Sequence, residues 1–444
     1  MSESNEATLR ERKDAQEDNN FEHDVEEFPE GGFGWLVVLA EWLIMACTFG
    51  MVNSFGIYQT YYQTQAYPDE TAFKISVIGA LQPFCIYIFA IPTVTMLHYL
   101  GSRVTVGIGA LIQVFSFMMM SLTTDLWQLF ITQGLLFGMG GGIIYLSGMT
   151  VVMQWFKKRR AMAMGIVSSG SSLGGVYWPI AIRRLINEVG FAWTNRIIGF
   201  IYIPLGVLMV VFLKSRLSLK HDIPKGSGKI KRVFMLKLSV LNNWRFLVLT
   251  FSNLIGMFAL FPGLFYIDLY AGKLGIKVGS YLFNPDYILS VLNAASLVGR
   301  IVPGIMADYF GRMNVLFPFL ILSGVSPLAL WLTSENSNGL MIAHVVLFGI
   351  GSGVFVSLFP TCVTQLFGVQ DNQSRISLFF AIGGIGALFG PIIGGSFLPL
   401  QDRESGNLDG FNKLAIFVGV MMLGCAAVEL FLRVVYSKKA FQFI

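Results

Sequence analysis

The sequence predicts an all-α membrane protein, with twelve transmembrane helices arranged as two parallel six-helix repeats. Three observations lead there. Of the 444 residues, 54% are hydrophobic and only 13% are charged, and the mean hydropathy is +0.64, too apolar for a soluble domain. Nearly uncharged runs of about 18 residues or more recur, each long enough to cross a bilayer, whereas a transmembrane barrel would show shorter alternating segments. The second half of the chain also echoes the first at a nearly constant spacing.

Residues 1–30 are rich in Glu, Asp and Asn and lack the apolar core of a signal peptide, so they read as a disordered cytoplasmic tail. Twelve apolar spans follow: 33–58, 75–97, 104–122, 126–153, 162–182, 193–213, 246–270, 287–306, 315–332, 340–358, 376–398 and 414–435. The first six lie in one half, 31–213, and the last six in the other, 246–437. Between them 214–245 is rich in Lys and Arg and holds Pro224 and Gly226-Ser227-Gly228, the composition of a cytoplasmic linker. Residues 438–444 form a short second tail.

Charge sets the orientation. Lys157, Lys158, Arg159 and Arg160 follow span four; Arg103, Arg312 and Arg375 follow other even-numbered spans; Lys438 and Lys439 follow the last. With both termini inside, these loops are cytoplasmic. Arg183 and Arg184, at the outer end of span five, run against the trend. The net charge of +5 therefore reads as topology and implies no nucleic-acid partner. Cys47, Cys85, Cys362 and Cys425 lie in or beside spans without CxxC spacing, so they read as plain thiols, with neither a disulfide framework nor a metal site.

The repeat is visible residue by residue. Phe137-Gly138-Met139-Gly140 matches Phe348-Gly349-Ile350-Gly351, and Gln154 to Phe156 matches Gln365 to Phe367, both at an offset of 211 residues. Tyr99-Leu100-Gly101 matches Tyr309-Phe310-Gly311 at 210, and Gly170 and Gly174 match Gly386 and Gly390 after a slightly longer loop. Parallel repeats of this kind place a substrate site between the halves at the membrane midplane and work by rocking one against the other.

Twelve spans in two repeats, with Gly-Arg loops after spans two and eight, resemble the major facilitator superfamily. Gly304-Ile305-Met306-Ala307-Asp308-Tyr309-Phe310-Gly311-Arg312 follows that family's Gly-x-x-x-Asp-x-x-Gly-Arg pattern; its counterpart keeps Gly101 and Arg103 but has no Asp. The resemblance implies that Gly101, Arg103, Asp308, Gly311 and Arg312 form a cytoplasmic latch that biases the conformational balance. Two further stretches are similar to monocarboxylate porters, with the fungal branch nearest: Glu30-Gly31-Gly32-Phe33-Gly34-Trp35 opening span one, and Trp155-Phe156-Lys157-Lys158-Arg159-Arg160 before a glycine helix. Asn53-Ser54-Phe55-Gly56-Ile57-Tyr58-Gln59 is similar to that branch's first-helix ending.

An ionisable residue inside a span is costly and reads as functional. Arg300 in span eight resembles the arginine that binds substrate carboxylate in animal monocarboxylate porters, and its planar fork suits a carboxylate. Asn53 stands where those porters carry a lysine and Ser296 where they carry an aspartate, a departure that argues against lactate-type substrates. Asn53 is a candidate substrate contact or a helix-packing group. Glu41, a carboxyl group within span one, is the candidate for proton coupling. Glu429 is expected to pair with Arg433 one turn on, Asp268 to be wet, His344 to be structural, and Arg196 to anchor at the membrane edge with Arg183 and Arg184. Asn253, Asn293, Gln82 and Gln133 need partners in the bilayer, and Phe84, Tyr145, Tyr177, Trp178 and Phe261 are candidates to line an aromatic cavity.

Together these imply a secondary active transporter and not an enzyme. It would move a small organic anion or carboxylate-bearing metabolite, be monocarboxylate-porter-like and need no cofactor, with proton coupling left open as one way to drive it. It would sit in the plasma membrane as a monomeric transport unit. Export of a fungal secondary metabolite and a non-transporting nutrient sensor stay open as alternatives.

Overall fold

The computed structural model describes residues 29–156, 158–216, 238–274, 287–368, 372–398 and 408–436. The two expected tails, save residues 29 and 30, most of the linker at 214–245, and Lys157 lie outside the described residues. Among those described there is no strand. Ten helices are long and apolar enough to cross a membrane. Two pairs of helices run on through glycines with positive φ, Gly101 (φ 76°) and Gly190 (φ 78°), so tight turns separate what would otherwise be single rods. Resolved at those turns, the long helices among the described residues number twelve.

In chain order they are α1 (Gly34–Ala66), α2 (72–100, broken at Phe89), α3 (102–120), α4 (Leu126–Val152), α5 (160–189) and α6 (191–212). The second set is α7 (Trp244–Gly272), α8 (Ile288–Phe310), α9 (Arg312–Trp331), α10 (Asn338–Phe367), α11 (Ser374–Ser396) and α12 (Asp409–Tyr436). Several outrun the apolar windows: α10 continues nine residues past 358, through Thr361, Thr364 and Gln365. Starts are capped locally. Thr71 accepts the Lys74 N–H, the Asp125 and Gln128 side chains form a reciprocal box, and Asn243 accepts the Arg245 N–H.

The repeat in the sequence is a repeat in packing. α1 crosses α5 as α7 crosses α11, α2 packs on α4 as α8 on α10, and α3 on α6 as α9 on α12. The matched glycines sit at these crossings. A Cβ at Gly138 would lie 2.7 Å from the Gln82 carbonyl oxygen in α2, and one at Gly349 would lie 2.5 Å from the Leu292 oxygen in α8. Gly174 touches Ala46 and Gly50 of α1, and Gly390 touches Phe258 of α7. Backbones this close gain the dispersion contacts that lipid-embedded helices need. Outward faces carry exposed Leu111, Val207, Phe251 and Val298, the apolar surface that a bilayer would cover.

The two stretches that resemble porter motifs meet in space. The Glu30 carboxylate accepts the N–H groups of Lys158 (2.5 Å) and Arg159 (3.1 Å), and Glu30 N donates to the Trp155 carbonyl. Phe33 packs on Trp155 and Trp35 on Phe156, with ring centroids 5.9 and 5.0 Å apart. The residue that closes the expected amino-terminal tail thus fastens the start of α1 to the loop after α4.

Candidate functional site

The halves meet along two seams, α5 against α8 and α2 against α11, and the site lies between them. One cavity is walled by Tyr87, Tyr145, Asn253, Phe355, Phe359, Phe379 and Phe380, among others. A second is walled by Asn53, Ser171, Phe261, Asn293, Ser296, Arg300 and Ser352, among others. Phe49, Tyr87 and Val356 line both, so these three side chains partition one central space into an aromatic and a polar lobe.

Arg300 sits in the polar lobe. It is 4% exposed; Nε donates to Ser296 Oγ at 3.2 Å, and Nη1 donates to the Ser168 carbonyl at 2.6 Å and to Ser171 Oγ. Ser168 and Ser171 belong to α5, so the guanidinium bridges the halves. Among the described residues no carboxylate lies within ion-pair range of it. A desolvated cation without a counter-charge costs several kcal/mol, a cost that an anionic ligand beside it would offset. Asn53 lines the same lobe, its Nδ2 donating to Asn293 Oδ1 across the halves at 3.2 Å. Helix packing and a cavity position are therefore both realised at Asn53.

Glu41 is fully buried on α1 against Gly148 of α4, one turn from Tyr145. Neither of its oxygens has a hydrogen-bond partner, and it lies off the walls of both lobes.

Each face has its own clasp. On the face of the basic loops, Asp308 Oδ2 accepts the Met162 N–H at the start of α5 (3.2 Å), a carboxylate set on a positive helix end in the other half. Arg312 Nη1 donates to the Thr361 carbonyl at 2.8 Å, Arg103 Nη2 reaches the Val211 carbonyl at 3.4 Å, and Gly101 and Gly311 supply the positive-φ turns. Burial, with the Arg312 guanidinium nearby, holds the Arg160 pKa below its ordinary value, and Glu30 opposes this.

The opposite face corrects one expectation. Asp268 is not wet: it is 6% exposed, its Oδ1 pairs with Arg183 Nη2 at 2.9 Å, and its Oδ2 accepts from Thr60 at 2.9 Å. One carboxylate in α7 holds α1 and α5. Arg183 therefore defies the loop-charge trend because it answers a charge in the other half.

A second correction concerns α12. Arg433 Nε donates to Asn314 Oδ1 at 2.8 Å, and both Glu429 oxygens lack hydrogen-bond partners, so the expected helix-face pair does not form. His344 is bonded to Ser326 and lies between the rings of Trp331 and Phe348, tilted to both. Arg196 bonds Ser121 and covers the Trp193 ring, as an anchor would. Of the five expected cavity aromatics, Tyr145 and Phe261 line it; Phe84, Tyr177 and Trp178 do not. Tyr87, Phe355, Phe359, Phe379 and Phe380 escaped sequence reasoning, since an aromatic in a span looks alike whether it faces lipid or cavity.

Two six-helix repeats closing on a central cavity with a buried cation define a membrane transport protein. The chain belongs to the Major Facilitator Superfamily, whose profile matches residues 32–302 and 285–442. It is 35% identical over 395 residues to the agnestins efflux protein AgnL12 of Paecilomyces divaricatus, covering 87% of this chain and 84% of that one. It is 34% identical over 403 residues to the aspyridones efflux protein apdF of Emericella nidulans, covering 90% and 78%. Among solved structures the fold is similar to that of the peptide transporter POT in complex with sulfate (TM-score 0.67, 12% identity, 92% of this chain and 96% of that one). It is also similar to the nucleoside transporter NupG (TM-score 0.63, 12% identity, 90% and 100%).

Proposed function

We propose that this protein is a secondary active exporter of an anionic, carboxylate-bearing secondary metabolite, working by alternating access. Arg300 carries the reading: a buried guanidinium on a cavity wall between the halves, held by serine oxygens and without a carboxylate partner among the described residues. Export is favoured over monocarboxylate uptake because relatives of similar length are named as efflux proteins. The lysine and aspartate of animal monocarboxylate porters are here Asn53 and Ser296, which points the same way. In this reading the halves are 31–213 and 246–437, the basic-loop face and both termini are cytoplasmic, and the membrane is the plasma membrane. Glu41 is the residue that takes up and releases the coupling proton.

The test is expression of the wild type and Arg300→Ala in a transporter-deleted yeast, with metabolites measured inside and outside at two pH values. The reading expects an acid to move outward with the wild type and not with a correctly localised mutant. Inward movement, or equal movement with both forms, would overturn it.

A further inference from the structure

We infer that the exported molecule is a planar hydroxyaromatic acid that occupies both lobes at once, and that Phe380 and Asn253 select it. This deepens the exporter reading and rests on it. Three features of the cavity bear on the occupant, each from a different wall. The polar lobe offers the Arg300 guanidinium, which takes an anion. The aromatic lobe offers a stack that crosses the seam between the halves: Phe380 of α11 lies parallel to Tyr87 of α2, with centroids 5.1 Å apart and planes 2° apart, and Tyr145 of α4 meets it edge-on at 5.5 Å. Flat faces select flat ligands, because offset stacking is lost on a puckered ring.

The third feature is Asn253 of α7, fully buried on the wall of the aromatic lobe. Its Nδ2 donates to the Phe379 carbonyl at 3.1 Å, and its Oδ1 has no hydrogen-bond partner. An acceptor left unsatisfied in apolar surroundings is costly, and a hydroxyl on the ligand's ring satisfies it. Phe49 stands between the lobes, 5.7 Å from Tyr87 and 5.0 Å from Tyr145 by ring centroid. With Tyr87 and Val356 it borders both lobes, so an occupant that spans them passes these three side chains, with Arg300 on the polar side and Asn253 on the aromatic side.

The proposal is tested by calorimetric titration of the purified full chain in lipid nanodiscs with four probes. They are a hydroxynaphthoate, naphthoate, its fully saturated decalin carboxylate, and naphthylmethanol. The expected order of affinity is hydroxynaphthoate, naphthoate, decalin carboxylate, with each step roughly three- to tenfold. Asn253→Leu is expected to erase the first step and Phe380→Leu the second, each within one protein sample. Asn253→Asp and Phe380→Tyr, which keep the acceptor and the ring, are expected to retain them, so general unfolding cannot imitate the result. Equal affinity of wild type for naphthoate and decalin carboxylate overturns the aromatic slot and leaves the anion reading standing. Equal affinity for hydroxynaphthoate and naphthoate overturns the role of Asn253. Naphthylmethanol bound as tightly as naphthoate overturns the anion reading itself, and no binding of any probe overturns both.

Discussion

Replacing Asp268 with asparagine is expected to open the face opposite the basic loops. The carboxylate has two contacts into the other half, each at 2.9 Å: Arg183 of α5 and Thr60 of α1. Asparagine keeps an acceptor for Thr60 and removes the charge that faces Arg183. A hydrogen bond to a charged group contributes about 1.5–3 kcal/mol. The Asp268 side chain is 4% exposed and that of Arg183 27%, so water recovers part of the loss and the lower end applies. Roughly 1.5 kcal/mol against the closed state is about a tenfold shift in the conformational balance. A reporter lies nearby: Ser290 of α8, 6% exposed, donates to the Val176 carbonyl of α5 at 3.0 Å and becomes accessible only when the seam parts there. All four native cysteines are buried, so thiol labelling of Ser290→Cys has a low background. In nanodiscs, Asp268→Asn is expected to raise its labelling rate about tenfold. A rate within twofold of the parent, for Asp268→Asn and for Arg183→Gln alike, would refute the clasp.

Three further outcomes follow from the same geometry. Asp308→Ala frees the start of α5 and should speed labelling of a cavity cysteine placed at Met164 by about fivefold, the equivalent of ~1 kcal/mol of helix-end interaction; no change would remove Asp308 from the latch. Gly174→Leu forces a side chain into the α1 backbone and should cost about 3 kcal/mol or more, whereas Gly272→Ala, with no atom within 4 Å of the new Cβ, should leave the thermal midpoint within a degree or two of the parent; similar losses for both would undo the close-crossing argument. Glu41→Gln matches the buried carboxyl in shape and should leave folding intact while flattening the dependence of export on an imposed pH gradient; an unaltered dependence would assign coupling elsewhere.

How far the sequence alone reached depends on what each residue had to reveal. The repeat was legible because backbone crossings demand glycine: Gly138 and Gly349, or Gly174 and Gly390, do the same work in each half, so identity recurs at fixed spacing. Arg300 was legible because a cation within an apolar span is rare. The two loops were legible through their resemblance to a family pattern, and their Gly101 and Gly311 take positive φ. The clasp at Asp268 was not. Its partners are 85 and 208 residues away, and a carboxyl near a span end reads as wet until the other half covers it. Glu429 and Arg433 show the converse error, as helix spacing suggested a pair and tertiary contact gave the arginine Asn314 instead. The aromatic lobe was hidden by abundance: with 39 phenylalanines and 15 tyrosines in the chain, composition could not say which ones face inward.

The most direct test of the exporter reading is deletion of the coding gene in the organism that carries it, with metabolites of cells and medium compared before and after complementation. The account predicts that an acid accumulates in the deleted cells and disappears from the medium, that wild type restores its export, and that a correctly localised Arg300→Gln does not. Restoration by Arg300→Gln, or loss of uptake in place of export, would contradict it.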